Sequence, residues 1–168
     1  MKRITVIIAG FLLFVPLAPA GAARATPPAT AVAAGPGTSQ ADTVTQWNQT
    51  MIAGLEAAAV PPPPAARVGA IVQASVFDAV NGIARRYAFY HVAPAAPAGA
   101  SRDAAAAAAA DTALVALIPA QKPLFDAQMS ATLAQISDDP SHPGQSVQRG
   151  LAWGTTVANQ ILRTRLMH

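Results

Sequence analysis

Apolar residues recur along the chain at spacings of three and four, the signature of a helix with one buried face, in five separate stretches. The first carries Val44, Trp47, Met51, Ile52 and Leu55, with Ser39 or Asp42 as the expected N-cap and an end near Ala59. Four prolines, Pro61 to Pro64, are expected to form a stiff extended spacer. A second helix follows, with Val68, Ile71, Val72, Val76, Ala79, Val80 and Ile83 on its face. Residues 93–100, with Pro94, Pro97 and Gly99, read as a loop. Ser101 then caps a third helix with Asp103 in its first turn, held by Leu114, Val115, Leu117 and Ile118 and stopped by Pro119. A fourth helix is expected from Pro123 to about Ile136, with Leu124, Phe125, Met129, Leu133 and Ile136 facing inward. After a turn over residues 137–144, a fifth runs from Gln145 to the end of the chain on Val147, Leu151, Ala158, Ile161 and Leu162. No stretch alternates with period two, and no repeat of roughly 20–50 residues is present. The pattern predicts an all-α helical bundle of about five helices.

The start of the chain reads differently. Met1-Lys2-Arg3 precedes an apolar run over residues 4–15, and small-residue sites follow at Ala18-Pro19-Ala20 and Ala20-Gly21-Ala22. This is the pattern of a secretory signal peptide over residues 1–22. The run falls short of the roughly 20 apolar residues that a spanning helix needs, and Pro16 and Pro19 interrupt it, so no stable membrane anchor is expected after cleavage. Residues 23–40, rich in Ala, Pro, Thr and Gly, read as a disordered linker, and residues 41–168 as the helical domain. The expected location is outside the cytoplasm, periplasmic or extracellular.

Charge and composition narrow the chemistry. Lys2 and Arg3 account for much of the formal +3; without them 9 of the 11 basic residues face 8 acidic ones. No basic stripe remains, which argues against nucleic acid as a partner. There is no cysteine, so the stability of an exported chain must come from its core. His91, His142 and His168 show no metal-binding spacing, and no G-x-S-x-G elbow occurs. Asp138-Asp139 reads as a solvated turn. Trp47 and Trp153 read as core or interface anchors. Asp78 stands out as a carboxylate in the middle of an apolar helix, sharing a face with Ala74, Asn81 and Arg85. A buried charge must be paired, so Asp78 is expected either to meet a neighbouring arginine, with Arg67, Arg85 and Arg86 as the candidate partners, or to cap another helix; the functional alternative is that it orients an absent catalytic half. Asp78, Asn81, Arg67 and Arg85 are therefore the candidate structural or supporting residues.

The segment Val76-Phe77-Asp78-Ala79-Val80-Asn81, with Arg86-Tyr87 after it, resembles the V-[FY]-D-A-V-N helix of bacterial vanadium-dependent haloperoxidases, relatives of the type 2 phosphatidic acid phosphatases. Trp47-Asn48, the proline segment, Leu114-Val115-Ala116-Leu117 and Pro119-Ala120-Gln121 extend the likeness from about Ala41 onward, although Gln73 stands where many relatives carry His. The resemblance implies a helical region packed beside a catalytic four-helix core, and vanadate-dependent halide oxidation or phosphate-ester hydrolysis for a full-length protein. It transfers no catalytic, cofactor-binding or metal residue. Lys122 has no Arg-Pro after it. Pro140-Ser141-His142 lacks the glycine of Pro-Ser-Gly-His, and Ser101-Arg102 has Ala108 where the family has His. The chain alone is thus expected to be inactive and to hold no cofactor, while full-length relatives take vanadate.

Two readings follow. In the first, the chain is the exported N-terminal part of a haloperoxidase-like protein, cut short after QILRTRLMH without a helix stop signal. Its expected partner is then the missing C-terminal catalytic half, or a second copy. In the second, it is a self-sufficient, non-catalytic exported scaffold or binding protein.

Overall fold

The computed structural model describes residues 42–138, 140–141 and 144–166. The signal-peptide and linker readings, Ser39, Asp139, His142 and His168 lie outside them. Five helices pack together and, among the described residues, there is no strand: α1 (Thr43–Ala57), α2 (Pro62–Ala84), α3 (Arg102–Leu117), α4 (Lys122–Leu133) and α5 (Ser146–Leu166). The all-α bundle is what the periodicity predicts. No helix among the described residues is long and apolar enough to cross a membrane.

Most helix ends obey the local chemistry. Asp42 accepts the Thr45 N–H at 3.0 Å and caps α1. The Ser101 hydroxyl accepts the Ala104 N–H at 3.2 Å and caps α3. The prolines differ from expectation. Only Pro61 is extended; Pro62, Pro63 and Pro64 are the first turn of α2. The first helical N–H groups have no intrahelical partner, so residues without an N–H and with φ held near the helical value sit there at little cost. The fourth helix also ends earlier than expected, at Leu133, and a 3₁₀ turn over Pro119–Gln121 leads into it.

The centre of the molecule is α3. It packs chiefly against α5 and α2, and also against α4 and α1. Ala104 through Ala110 are all buried, together with Ala113 and Leu114. A helix surrounded by others must be apolar all round, and a run of alanines meets that need while letting its neighbours come close. Gly150 and Gly154 of α5 complete the contact. A Cβ on Gly154 would lie 2.2 Å from the Ala105 carbonyl oxygen, and one on Gly150 would lie 2.4 Å from that of Ser101. The backbones of α3 and α5 therefore meet directly. Larger side chains close the two sides of this contact. Trp47 and Phe125 are buried on the α1–α4 side, and Trp153, Val157, Ile161 and Leu162 line α5. The Trp153 ring fills the space above Gly82, and its Nε1–H donates to the Ala79 carbonyl at 2.9 Å.

Asp138 holds the start of α5. Its Oδ1 accepts from the Ser146 hydroxyl at 2.6 Å and the Val147 N–H at 3.1 Å, and its Oδ2 accepts from the Gly144 N–H at 2.9 Å. These bonds, the Ser146 hydroxyl first, hold its carboxyl below the usual carboxylate range. A depressed carboxyl contributes stability above its unfolded pKa and loses it as pH falls through the folded one. Asp138→Asn is expected to lower Tm at pH 7, with the gap to wild type closing as pH is taken below about 4. A thermal-melt series from pH 7 to pH 2 checks this. A gap that stays constant with pH would mean that the carboxylate charge is not what holds the turn.

Candidate functional site: a pinned loop between two surface clefts

The chemistry-bearing side chains of the resemblance segment converge on one feature, the chain that leaves α2. Asp78 is fully buried and takes part in no ion pair among the described residues. Its Oδ1 accepts the Tyr90 N–H at 2.6 Å, and its Oδ2 accepts those of His91 at 2.7 Å and Val92 at 2.8 Å. Three successive amides thus form a concave nest around one carboxylate. One turn later, the Asn81 Oδ1 accepts from the N–H groups of Arg86 at 3.1 Å and Tyr87 at 3.0 Å. Its Nδ2 donates to the Tyr87 carbonyl at 2.8 Å. Spacing explains the pair. Residues three apart share a helix face, so Asp78 and Asn81 both look onto the segment that folds back over α2.

The expected arginine partners of Asp78 are therefore corrected. Arg85 closes α2 in the left-handed conformation with φ 51°, its N–H donating to the Asn81 carbonyl. It is exposed and acts through its backbone: a left-handed residue after a helix turns the chain sharply, and here the next two amides reach the Asn81 side chain. Arg86 is exposed as well. Arg67 donates to the backbone carbonyl of Arg165 at the end of α5. Backbone amides displaced arginine because they reach a buried carboxylate without bringing a second charge out of water.

With its polar atoms facing inward, the pinned loop turns its aromatic residues outward: Tyr87 is 70% exposed, Tyr90 56% and Phe89 48%. On one side lies a groove of about 370 Å³. Val44, Val76, Phe77, Val80 and Tyr87 give it apolar walls, and Gln73, Asn81, Arg86 and Arg102 line it as well. The rings of Phe77 and Tyr87 lie 6.4 Å apart, centroid to centroid. On the other side is a cleft of about 350 Å³ between α2 and α5. Ile71, Ala74 and Ile161 line it with Arg67, Tyr90, Thr164 and Arg165. The Arg165 guanidinium lies 5.3 Å from the Tyr90 ring centroid and donates to the Tyr90 hydroxyl. The Thr164 hydroxyl is 2.8 Å from His91 Nε2.

Sequence reasoning missed this second cleft. Its residues come from positions far apart in the chain, and the only local sign was the density of Arg and aromatic residues after α2. It also missed Asp111, whose carboxyl is raised by burial and further by the Asp126 carboxylate and whose Oδ1 has no hydrogen-bond partner among the described residues. Lys122, considered above for an oxyanion motif, instead pairs with Asp126 at 2.6 Å. Ser101, considered for another, caps α3.

The vanadate that the resemblance implies for full-length relatives would need converging cationic donors and a histidine from its three motifs, none of which occurs in this chain. The described residues do not fit it. Asp78 and Asn81 are engaged with backbone, and His91 is not among the residues that line either cleft. Comparison of the chain with protein-family models, curated proteins and solved structures finds no match.

Proposed function

We propose that this chain is the exported, non-catalytic helical framework of a haloperoxidase-like protein, and that it docks against a separate helical half carrying the oxyanion motifs. The observation that carries this reading is the use made of Asp78 and Asn81. Both polar residues of the V-F-D-A-V-N segment use their side-chain oxygens to hold a loop in place, and Asn81 also borders the groove beside Phe77. Beside the exposed Arg85, Arg86 and His91, that loop and helix present an apolar patch to solvent: Phe77 and Tyr87 flank a groove walled by Val44, Val76 and Val80 and bordered by Gln73, Asn81, Arg86 and Arg102. Exposed apolar surface of this kind gains most from a helical partner laid along it.

A second reading, a self-sufficient scaffold, is supported by the closed core around α3, in which Trp47, Phe125 and Leu114 are already fully covered. One experiment separates the two. The full-length chain after export is mixed with a separately produced C-terminal half of a bacterial haloperoxidase and followed by sedimentation. Association is expected, weakened at least tenfold by the double change Phe77→Ser and Tyr87→Ser, which removes roughly 1.4 kcal/mol or more of apolar contact. Assayed alone with vanadate, peroxide and bromide, the chain is expected to show no turnover. Association that is absent, with a monomer melting cooperatively by itself, favours the scaffold. Turnover scaling with the chain's own concentration overturns both.

A further inference from the structure

The cleft between α2 and α5 has no place in the docking reading, and its chemistry is of another kind. Two guanidinium groups, Arg67 and Arg165, line a space of about 350 Å³. Among the described residues the one ion pair is Lys122–Asp126, so neither arginine has a carboxylate partner. Each is instead held by a neutral group. Arg67 donates to the Arg165 carbonyl and Arg165 donates to the Tyr90 hydroxyl. A guanidinium has five N–H donors, so these single bonds orient the two groups and leave most of their donors for another acceptor. Among the described residues, the carboxylate behind the loop and the carbonyl at the end of α5 are already engaged. Asp78 lies behind the loop with both oxygens turned to backbone amides, and the last-turn carbonyl of α5 accepts from Arg67.

The rest of the lining is apolar except for the Thr164 and Tyr90 hydroxyls. Ile71 and Ile161 are nearly completely buried at the cleft, and the Tyr90 ring stands over the Arg165 guanidinium. Two guanidinium groups lining one cleft beside apolar side chains and an aromatic face form a favourable setting for an anion.

We propose that this cleft binds a small organic oxyanion, a carboxylate or phosphate monoester carried on a compact apolar body. The head lies between Arg67 and Arg165, and the body rests on Ile71, Ile161 and the Tyr90 ring. The volume suits a ligand of this size and no polymer. The inference needs no catalytic half and stands whether or not the docking reading does.

The test is titration of the full-length chain with phenyl phosphate, benzoate and inorganic phosphate at low and physiological salt, followed by calorimetry and by amide chemical-shift mapping. Saturable binding of phenyl phosphate or benzoate is expected, at least tenfold tighter than that of inorganic phosphate, and the stronger of the two identifies the head. Shifts are expected to fall on Arg67–Ala74, Tyr90 and Ile161–Arg165. Arg67→Gln and Arg165→Gln should each weaken binding about tenfold or more, the loss of one charge-assisted contact. Both residues are exposed, so Tm should be little changed. Arg102→Gln, at the other groove, should leave binding unaltered. Absence of saturable binding by all three probes would overturn the proposal. So would shifts mapping elsewhere, equal affinity for inorganic phosphate, or equal weakening by Arg102→Gln. The shift map decides the matter even if a glutamine variant fails to fold.

Discussion

Asp78→Ala is expected to be among the most damaging single changes in this protein. It removes the acceptor that, among the described residues, serves three amide donors, those of Tyr90, His91 and Val92, all within 2.8 Å of its oxygens. An unpaired buried donor costs about 1–3 kcal/mol. The loop can lift to hydrate part of the set, which limits the total, so a loss of about 3–5 kcal/mol is expected. At roughly 3 °C per kcal/mol for a domain of this size, Tm should fall by about 10–15 °C. Asp78→Asn should cost about half as much, since one acceptor oxygen remains while the new amide N–H₂ faces at least one donor. Hydrogen exchange locates the effect: the amides of residues 90–92 should lose protection before those of α3. A melt within about 2 °C of wild type, with those three amides still protected, would show that the carboxylate is not what holds the loop.

The second large effect sets one substitution against itself at two positions. Gly154→Ala would put a methyl 2.2 Å from the Ala105 carbonyl oxygen and 3.0 Å from the Ala108 Cβ. The obstacle is backbone, which cannot swing aside as a side-chain tip can. The α3–α5 pair must spread, and every contact along it loosens. Overpacking of this kind costs about 1–3 kcal/mol and more where backbone must move, so about 3 kcal/mol is expected. Gly69→Ala, in α2, meets no atom within 4 Å. There the alanine only raises helix propensity and restricts the unfolded chain, giving a gain of about 0.5–1 kcal/mol. Paired denaturant titrations should show the two changes moving the midpoint in opposite directions. If both stabilise, the direct approach of α3 and α5 is wrong.

These two cases show where the chain's own pattern is readable. The five helices were legible because each needs only a 3.6-residue apolar period and a local stop or cap. Asp42, Ser101 and Pro119 supply those within a few residues of the helix they bound. The burial of Trp47 and Trp153 was legible for a similar reason, since a large apolar ring on an apolar face has few other places to go. The importance of Asp78 was legible as well, because a carboxylate inside an apolar face must meet a donor.

The identity of that donor was not. Arginines lay within a turn or two, and sequence spacing favours them as partners. The amides of Tyr90, His91 and Val92 won because the left-handed turn at Arg85 folds the chain back over α2, and an N–H desolvates at lower cost than a guanidinium. That Ala104–Ala110 is the core, and not merely a strong helix former, also waited on the fold. Alanine carries little apolar area, and only the two glycines of α5, some 45 residues on in the chain, bring a second backbone close enough to cover it. The joining of Arg67 and Arg165 at one cleft is of the same kind. Local order along the chain determines which residues form helices and which face of each is apolar, because those depend on neighbours three and four positions away. Which faces meet, and which charges are thereby brought together, depends on contacts between residues tens of positions apart, and only the packed tertiary structure decides it.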